Sequence, residues 1–380
     1  MKTYDFRSGC TDPASFPAAH LAEYAVKAIN EVGIDFARYP EELGHLGLRE
    51  VMAERESQRE GVEVSPDNIS LMNGSMQPVT LVAEALMEKP GDIIITEELT
   101  YSGTLSIYKS LGAQLVGIPM DEHGMKIDAL EKTLNELHEK GTPPRFIYSL
   151  PTYHNPTGIL MPKARRLELI DVALKYNTIV VDDNCYGDVH FEGEKEPSLH
   201  ALSESPNIIY LCSLSKILGP GLRVGYLIAR QPMLDRIMER RFDGGNSLLA
   251  ASVCAAYLKD NLWDYVAKAN LVLKEKRDAV YAGLESSVND ICTWSHPVGG
   301  IFIWVQFPDD VDRLKLEALL EKEGIIYGPG SAYHVNGKDI PYLRLAFGYC
   351  SLEDIHRCIP LVGQAIRASR KTIARAQAAV

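Results

Sequence analysis

The chain spells no C-x-x-C pair, and its seven cysteines are odd in number and scattered. That pattern argues against a disulfide framework and a zinc ribbon, and it fits a reducing cytoplasm. Basic charge is not in surplus either: a formal net charge of −12 and a pI near 5.4 disfavour a nucleic-acid or anionic-membrane surface, which would want clustered Lys and Arg. The longest apolar run, LLAASVCAAYL (248–258), stops short of the roughly 20 residues that cross a bilayer. The opening MKTYDFRSGCTDP has no apolar core of a signal peptide. His154, His190 and His200 lack ligand spacing, so no metal is expected. Internal repeats, low-complexity tracts and long charge blocks are missing too. There remains a soluble chain of 380 residues, 46% hydrophobic, long enough for one large and one smaller domain. Its expected partner is a small molecule.

From about Ser65 to Arg230, β-rich apolar runs alternate with helical patterns, which predicts an α/β chain built on a mainly parallel, helix-flanked sheet. The strand candidates are NISLM, DIIIT, RFIYSL, TIVVD, IIYLC and RVGYLIA. MQPVTLVAEALMEK and ARRLELIDVALKYN read as amphipathic helices, and a long helical stretch runs from about Trp263 to Leu284. GGIFIWVQFP and PYLRLAFG then suggest a smaller α+β domain. The expected boundaries are 41–279 for the large domain and 280–380 for the small one, joined by residues 1–40.

The residues just beyond each strand carry the chemistry. NISLM delivers Gly74, Ser75 and Met76 at a helix start, where free N–H groups favour a phosphate. RFIYSL delivers PTYHNPTG, TIVVD delivers DNCY, and IIYLC delivers SLSK. An amide, a carboxylate, a phenol, hydroxyls and Lys216 are thus unloaded at the carboxyl ends of strands, where open α/β sheets bind ligands. Each has a plain alternative taken singly. Lys216 can be a solvated loop lysine, Asn155-Pro156-Thr157-Gly158 a turn, and Asp183 or Ser75 a helix cap. Their order and spacing together are harder to read as turns.

In that order and spacing the chain resembles the fold-type I pyridoxal-phosphate aminotransferases of class I/II, in the kynurenine/2-aminoadipate-like branch. The matching blocks run nearly the whole length: YPEELGHLGLRE, NGSMQ, LTYSGTL, PTYHNPTG, VDDNCYGDVHFEG, SLSKILGPGLRVGYL, PVGGIFIWV and YLRLAF. The resemblance implies that Lys216 forms a Schiff base with pyridoxal 5′-phosphate and shuttles the proton in a ping-pong transfer of an α-amino group to a 2-oxo acid. Asp183 is then the partner of the pyridine nitrogen. Asn155 and Tyr186 hydrogen-bond the ring oxygen, Tyr101 stacks on the ring, and Ser213, Ser215, Arg223 and the amides of Ser75 and Met76 take the phosphate. Arg344, an arginine inside an apolar strand, is left for the substrate carboxylate, its alternative being an internal ion pair. Tyr39 matches a family tyrosine that reaches into the neighbouring subunit, which implies a homodimer.

Two departures bear on the substrate. SGCTDP (8–13) stands where Gly-Gly-x-Pro is usual, and RFDGGNSLLAAS (241–252) replaces a segment expected to be rich in Ser and Gln; both are expected near the substrate entrance. Asp183-Asn184-Cys185-Tyr186 also lacks the proline usual before the tyrosine, and Cys185 reads as a packing residue. The same cofactor chemistry also serves elimination, cyclisation or racemisation, the runner-up activities. Other classes fit less well. Ser213-x-x-Lys216 lacks the Ser-Asp-Asn and Lys-Thr-Gly of penicillin-recognising hydrolases. GPGLRVG enters a strand where a dinucleotide fingerprint would open a helix. The related regulators place a basic DNA-binding domain ahead of this fold, whereas this chain begins almost at the fold and is acidic.

Overall fold

The computed structural model describes residues 2–371. Its centre is a seven-stranded sheet of β1 (Ile69–Met72), β2 (Ile93–Glu97), β3 (Gln114–Ile118), β4 (Phe146–Ser149), β5 (Ile179–Asp183), β6 (Ile208–Ser213) and β7 (Gly225–Ile228), in the order β1-β7-β6-β5-β4-β2-β3. Pairing is parallel from β6 through to β3, and β7 is antiparallel to both of its neighbours. The inner strands are buried on both faces, as helices on either side of a sheet require. No strand is expected at β3 from the sequence. That strand is a half-exposed edge containing Gly117, so it lacks the continuous apolar run that marks the others.

A second, antiparallel sheet joins Thr293–Trp294, Phe302–Gln306, Tyr342–Ala346 and Gly328–Pro329. Helices Arg313–Lys322 and Leu352–Ala368 close its apolar cluster with Leu316, Leu320, Ile355 and Val362. The first forty residues do not join this unit as one block. Tyr4–Asp5 pairs in parallel with Ile325–Ile326, and Tyr4 and Phe6 enter its core. Leu21 and Ala28, on helix Ala18–Val32, instead pack with Met52, Tyr226 and Cys254 beside the large sheet. The helix expected near Trp263–Leu284 runs unbroken over 41 residues, Leu248–Val288, so the expected boundary after residue 279 falls inside it. Residues 372–380 of the expected small domain lie outside the described residues.

Helix Leu46–Glu60 buries a charge network beneath the segment after β5. Arg55 Nε donates to Asp188 Oδ2 at 3.0 Å, Arg59 Nη1 donates to Asp188 Oδ1 at 3.3 Å, and Arg55 Nη1 donates to Glu56 Oε1 at 2.7 Å. Burial alone would raise the Asp188 pKa; the two guanidinium charges overcome it and hold it at about 2. Asp188→Asn leaves two buried cations short of counter-charge, and the expected cost is about 3 kcal/mol or more in urea denaturation. In the parent chain this stabilisation is present above the open-chain value of 3.8 and is lost as pH falls towards 2. A cost near zero for Asp188→Asn would show that the network does not hold this segment.

Candidate active site

Every strand of the large sheet except β7 ends at one edge, and β7 begins there. Between that edge and the second sheet lies a cavity of about 450 Å3. Ser75, Met76, Tyr101, Asn155, Asp183, Tyr186, Ser213, Ser215, Lys216, Arg223 and Arg344 all line it. Tyr39 does not: it is 89% exposed and lies beside Gly244.

Local geometry explains how each side chain arrives. After β1 the chain turns at Gly74 (φ 79°) into helix Met76–Leu86, whose first amides face the cavity end. A Cβ on Gly74 would stand 2.5 Å from Arg223 Nη2, so a side chain there collides with the guanidinium. Asp183 is the last residue of β5. Ser213 ends β6, its Oγ is 2.9 Å from Ser215 Oγ, and a single 3-10 turn, Leu214–Lys216, carries the lysine. Arg223 then enters β7 with φ 53°, a left-handed conformation costing a non-glycine residue about 1 kcal/mol. Its hydrogen bonds to Asn73 O (2.8 Å) and Pro220 O (3.3 Å) hold it there.

Burial sets the electrostatics. Asp183 is 3% exposed; Tyr148 donates to its Oδ2 at 2.5 Å and Cys185 to its Oδ1 at 3.0 Å. Loss of water raises the Asp183 pKa, and those two donors and the Lys216 charge oppose the rise. Lys216 Nζ donates to Gly9 O and lies 5.6 Å from the centre of the Tyr186 ring. Burial pulls its pKa below that of an ordinary lysine, and Arg344 adds to the fall, which enlarges the fraction of free amine. Arg344, 4% exposed, donates Nη1 to Asn155 Oδ1 at 2.7 Å and Nη2 to Arg7 O. Phe302 and Tyr333 place ring centres 4.3 and 4.7 Å from its guanidinium carbon. Its Nε has no partner, and among the described residues it forms no ion pair, against the internal-pair alternative.

Phe302, Tyr333, Arg7 and the Asp183 donor Tyr148 escape sequence reasoning; the strand aromatics carry the same pattern as core residues. Of the two departing segments, Ser8, Gly9 and Cys10 line the cavity. Asp12 is tied down by the buried Lys276 at 2.7 Å. The 241–252 segment lines no part of it: Asp243 accepts hydrogen bonds from Asn73 and Gln77 at the rim, and Phe242 is 88% exposed. A cleft of about 510 Å3 between Ala14–His20 and helix Leu248–Val288 gathers no comparable set of acid, amine and guanidinium. Among the described residues no group of His, Cys, Asp or Glu forms a metal site, and no helix is long and apolar enough to cross a membrane.

The family model for aminotransferase class I and II matches residues 12–359. The chain belongs to the class I and II aminotransferases. It is 31% identical over 367 residues, 96% of this chain and 88% of the relative, to aromatic-amino-acid aminotransferase 1 of Thermococcus litoralis. It is also 31% identical over 332 residues, 87% of this chain and 67% of the relative, to the uncharacterised HTH-type transcriptional regulator YisV of Bacillus subtilis. Among solved structures, LysN, an α-aminoadipate aminotransferase of Thermus thermophilus complexed with N-(5′-phosphopyridoxyl)-L-leucine, superposes with a TM-score of 0.89 at 28% identity, covering 96% of this chain and 92% of that one. The chain is a pyridoxal-phosphate-dependent aminotransferase of α/β, fold-type I architecture.

One buried acid of this aminotransferase stands just outside the cavity. Glu97, at the end of β2, accepts from Ser149 Oγ (2.6 Å) and Leu150 N (3.0 Å), while its Oε2 has no partner. Burial raises its pKa to about 7 from 4.5. The folded chain therefore holds this proton more tightly than the unfolded chain, and stability is lost as pH rises from 4.5 through 7. Glu97→Gln is expected to raise the melting temperature of the apoprotein above pH 7 and to change it little below pH 4.5, an effect on the order of 3 kcal/mol. Equal effects at both ends of that range would refute the assignment.

Proposed function

We propose that Lys216 is the amine that takes the cofactor's aldehyde and that Lys216 Nζ removes the proton from the substrate Cα, in an enzyme that works as a cytoplasmic homodimer. The observation that carries this reading is one cavity holding a lysine of lowered pKa, a buried carboxylate on the neighbouring strand and an arginine without a counter-charge. The donor set suits pyridoxal 5′-phosphate at each of its polar ends. Asp183 offers an acceptor to the ring nitrogen. Ser213, Ser215, Arg223 and the amides of Ser75 and Met76 offer donors and positive charge to the phosphate. The Asn155 amide nitrogen and the Tyr186 hydroxyl are free to serve the ring oxygen, and Tyr101 can lie against the ring face.

When bound, the cofactor supplies an electron sink for charge developing at Cα. Arg344 orients the substrate through its α-carboxylate, since its planar fork gains a charge-assisted pair there. The rings of Phe302 and Tyr333 keep water from that pair. For the dimer, Tyr39 supports a role in a second subunit's cavity, because it is exposed and does not line its own. The seven unpaired cysteines support a reducing compartment. The division into a large unit (41–279) and a small one (280–380, with residues 1–40) remains part of this proposal; the separate apolar clusters support it, but the 1–40 assignment holds for its first residues more than for helix Ala18–Val32.

An amino-acid donor given without an acceptor is expected to convert the bound cofactor once to its amine form and stop; a 2-oxo acid then restores the yellow form and yields a new amino acid. Steady turnover without acceptor, releasing ammonia or a product that keeps its α-amine, would replace transamination with elimination, cyclisation or racemisation. Lys216→Ala should keep weak cofactor binding and lose turnover, and borohydride should fix the cofactor at Lys216 and at no other lysine. Arg344→Gln should raise KM for amino and oxo acid alike, by about tenfold or more, as loss of a charged pair implies.

A further inference from the structure

Asp183 is held from two sides. Cys185 Sγ donates to Oδ1 at 3.0 Å; Tyr148 donates to Oδ2 at 2.5 Å and accepts in turn from Thr104 Oγ1 at 3.0 Å. Both donors are fixed by backbone. Tyr148 stands on β4, paired with Val181 of β5, and Cys185 lies two residues beyond Asp183, in the position where a proline or alanine would offer no donor. Burial pushes the Cys185 thiol pKa up, which keeps it in the S–H form that donates. Among the described residues, the other ionisable groups around the carboxylate are Lys216, the only cation of the set, and Glu97, Tyr101, Tyr108, Asp182 and Tyr186. Burial favours the neutral acid, and a neutral acid cannot pair with a protonated ring nitrogen. Each of the two donors favours the charged form and leaves a lone pair on its oxygen unspent.

We propose that Cys185 and Tyr148 are positioning residues that keep Asp183 ionised and turned towards the cofactor's ring nitrogen. The proposal rests on the role assigned above to Asp183. It also gives a reason for a thiol at 185 that packing alone does not.

The test is titration of the apoprotein with pyridoxal 5′-phosphate at a series of pH values, read by intrinsic fluorescence and by absorbance of the bound cofactor. Asp183→Asn, Cys185→Ala, Cys185→Ser and Tyr148→Phe are compared with the parent. In the parent, affinity falls as acid protonates Asp183. Loss of a donor raises the pKa of Asp183, so in Cys185→Ala and Tyr148→Phe the fall should begin at higher pH, with binding weakened roughly five- to tenfold at neutral pH. Cys185→Ser keeps an O–H donor and should match the parent curve. If Asp183→Asn abolishes the acid limb while the donor variants match the parent, the proposal fails and the Asp183 role stands. If Asp183→Asn leaves limb and affinity intact, the Asp183 role itself fails. Cys185→Ser behaving like Cys185→Ala would overturn the hydrogen-bond argument. Should Tyr148→Phe not fold, the two Cys185 variants, at the cavity wall, decide the matter.

Discussion

Taking Asp183 and Arg344 out of water, with Lys216 half-buried in the same cavity, is the constraint on which the rest of the site depends. Each would lose several kcal/mol of hydration if left without partners. The protein supplies partial compensation only: two hydrogen bonds to the acid, one carbonyl to the lysine, and an amide, a carbonyl and two rings to the arginine. No carboxylate pairs with either cation in this set. The result is a cavity whose charges are tolerated but not neutralised.

The sheet's topology is what lets those charges meet. Parallel strands bring their carboxyl ends to one edge, which accounts for Asp183 and Lys216. Arg223 comes to the same edge for the opposite reason, since β7 runs antiparallel and begins there. Its strained backbone and the glycine at 74 are two sides of one close approach. The second sheet then supplies Arg344 and Phe302 from adjacent, antiparallel strands, with Trp304 directly opposite Arg344 in the register. The site is therefore assembled between two cores, and helix Leu248–Val288 runs through both.

Much of this was legible because loops after strands announce themselves: NGSM, PTYHNPTG, DNCY and SLSK break apolar runs with residue types that carry chemistry. An arginine in YLRLAF was legible for the converse reason, as a charge where burial forbids one. The aromatic wall was not, because Phe302 and Tyr333 have the composition of ordinary core residues and only tertiary packing turns them towards the cavity; Tyr148, fully buried behind Asp183, is indistinguishable in sequence from the core residues it packs with. Edge strand β3 escaped for want of an apolar run. The first forty residues are hard to read because a two-residue strand and an amphipathic helix can be docked on different cores by a connecting segment whose sequence says little about either. The 241–252 segment, expected near the substrate entrance, lies at the rim, where Asp243 is held by Asn73, Gln77 and Arg241.

The short N-terminal strap has a consequence for how ligands enter. Its carbonyls at Arg7 and Gly9 occupy one hydrogen-bonding position on Arg344 and one on Lys216, and the pair of Asp12 with Lys276 anchors the strap just beyond. In the proposed roles of Arg344 and Lys216, a substrate carboxylate or an incoming aldehyde exchanges with a bonded neutral dipole. Affinity is then a difference between two occupied states: a neutral analogue gains little over the peptide carbonyl it displaces, whereas an anion gains charge-assisted hydrogen bonds set against its own dehydration. The backbone of residues 7 to 9 acts as an internal competitor, and it sets the threshold that any ligand must exceed.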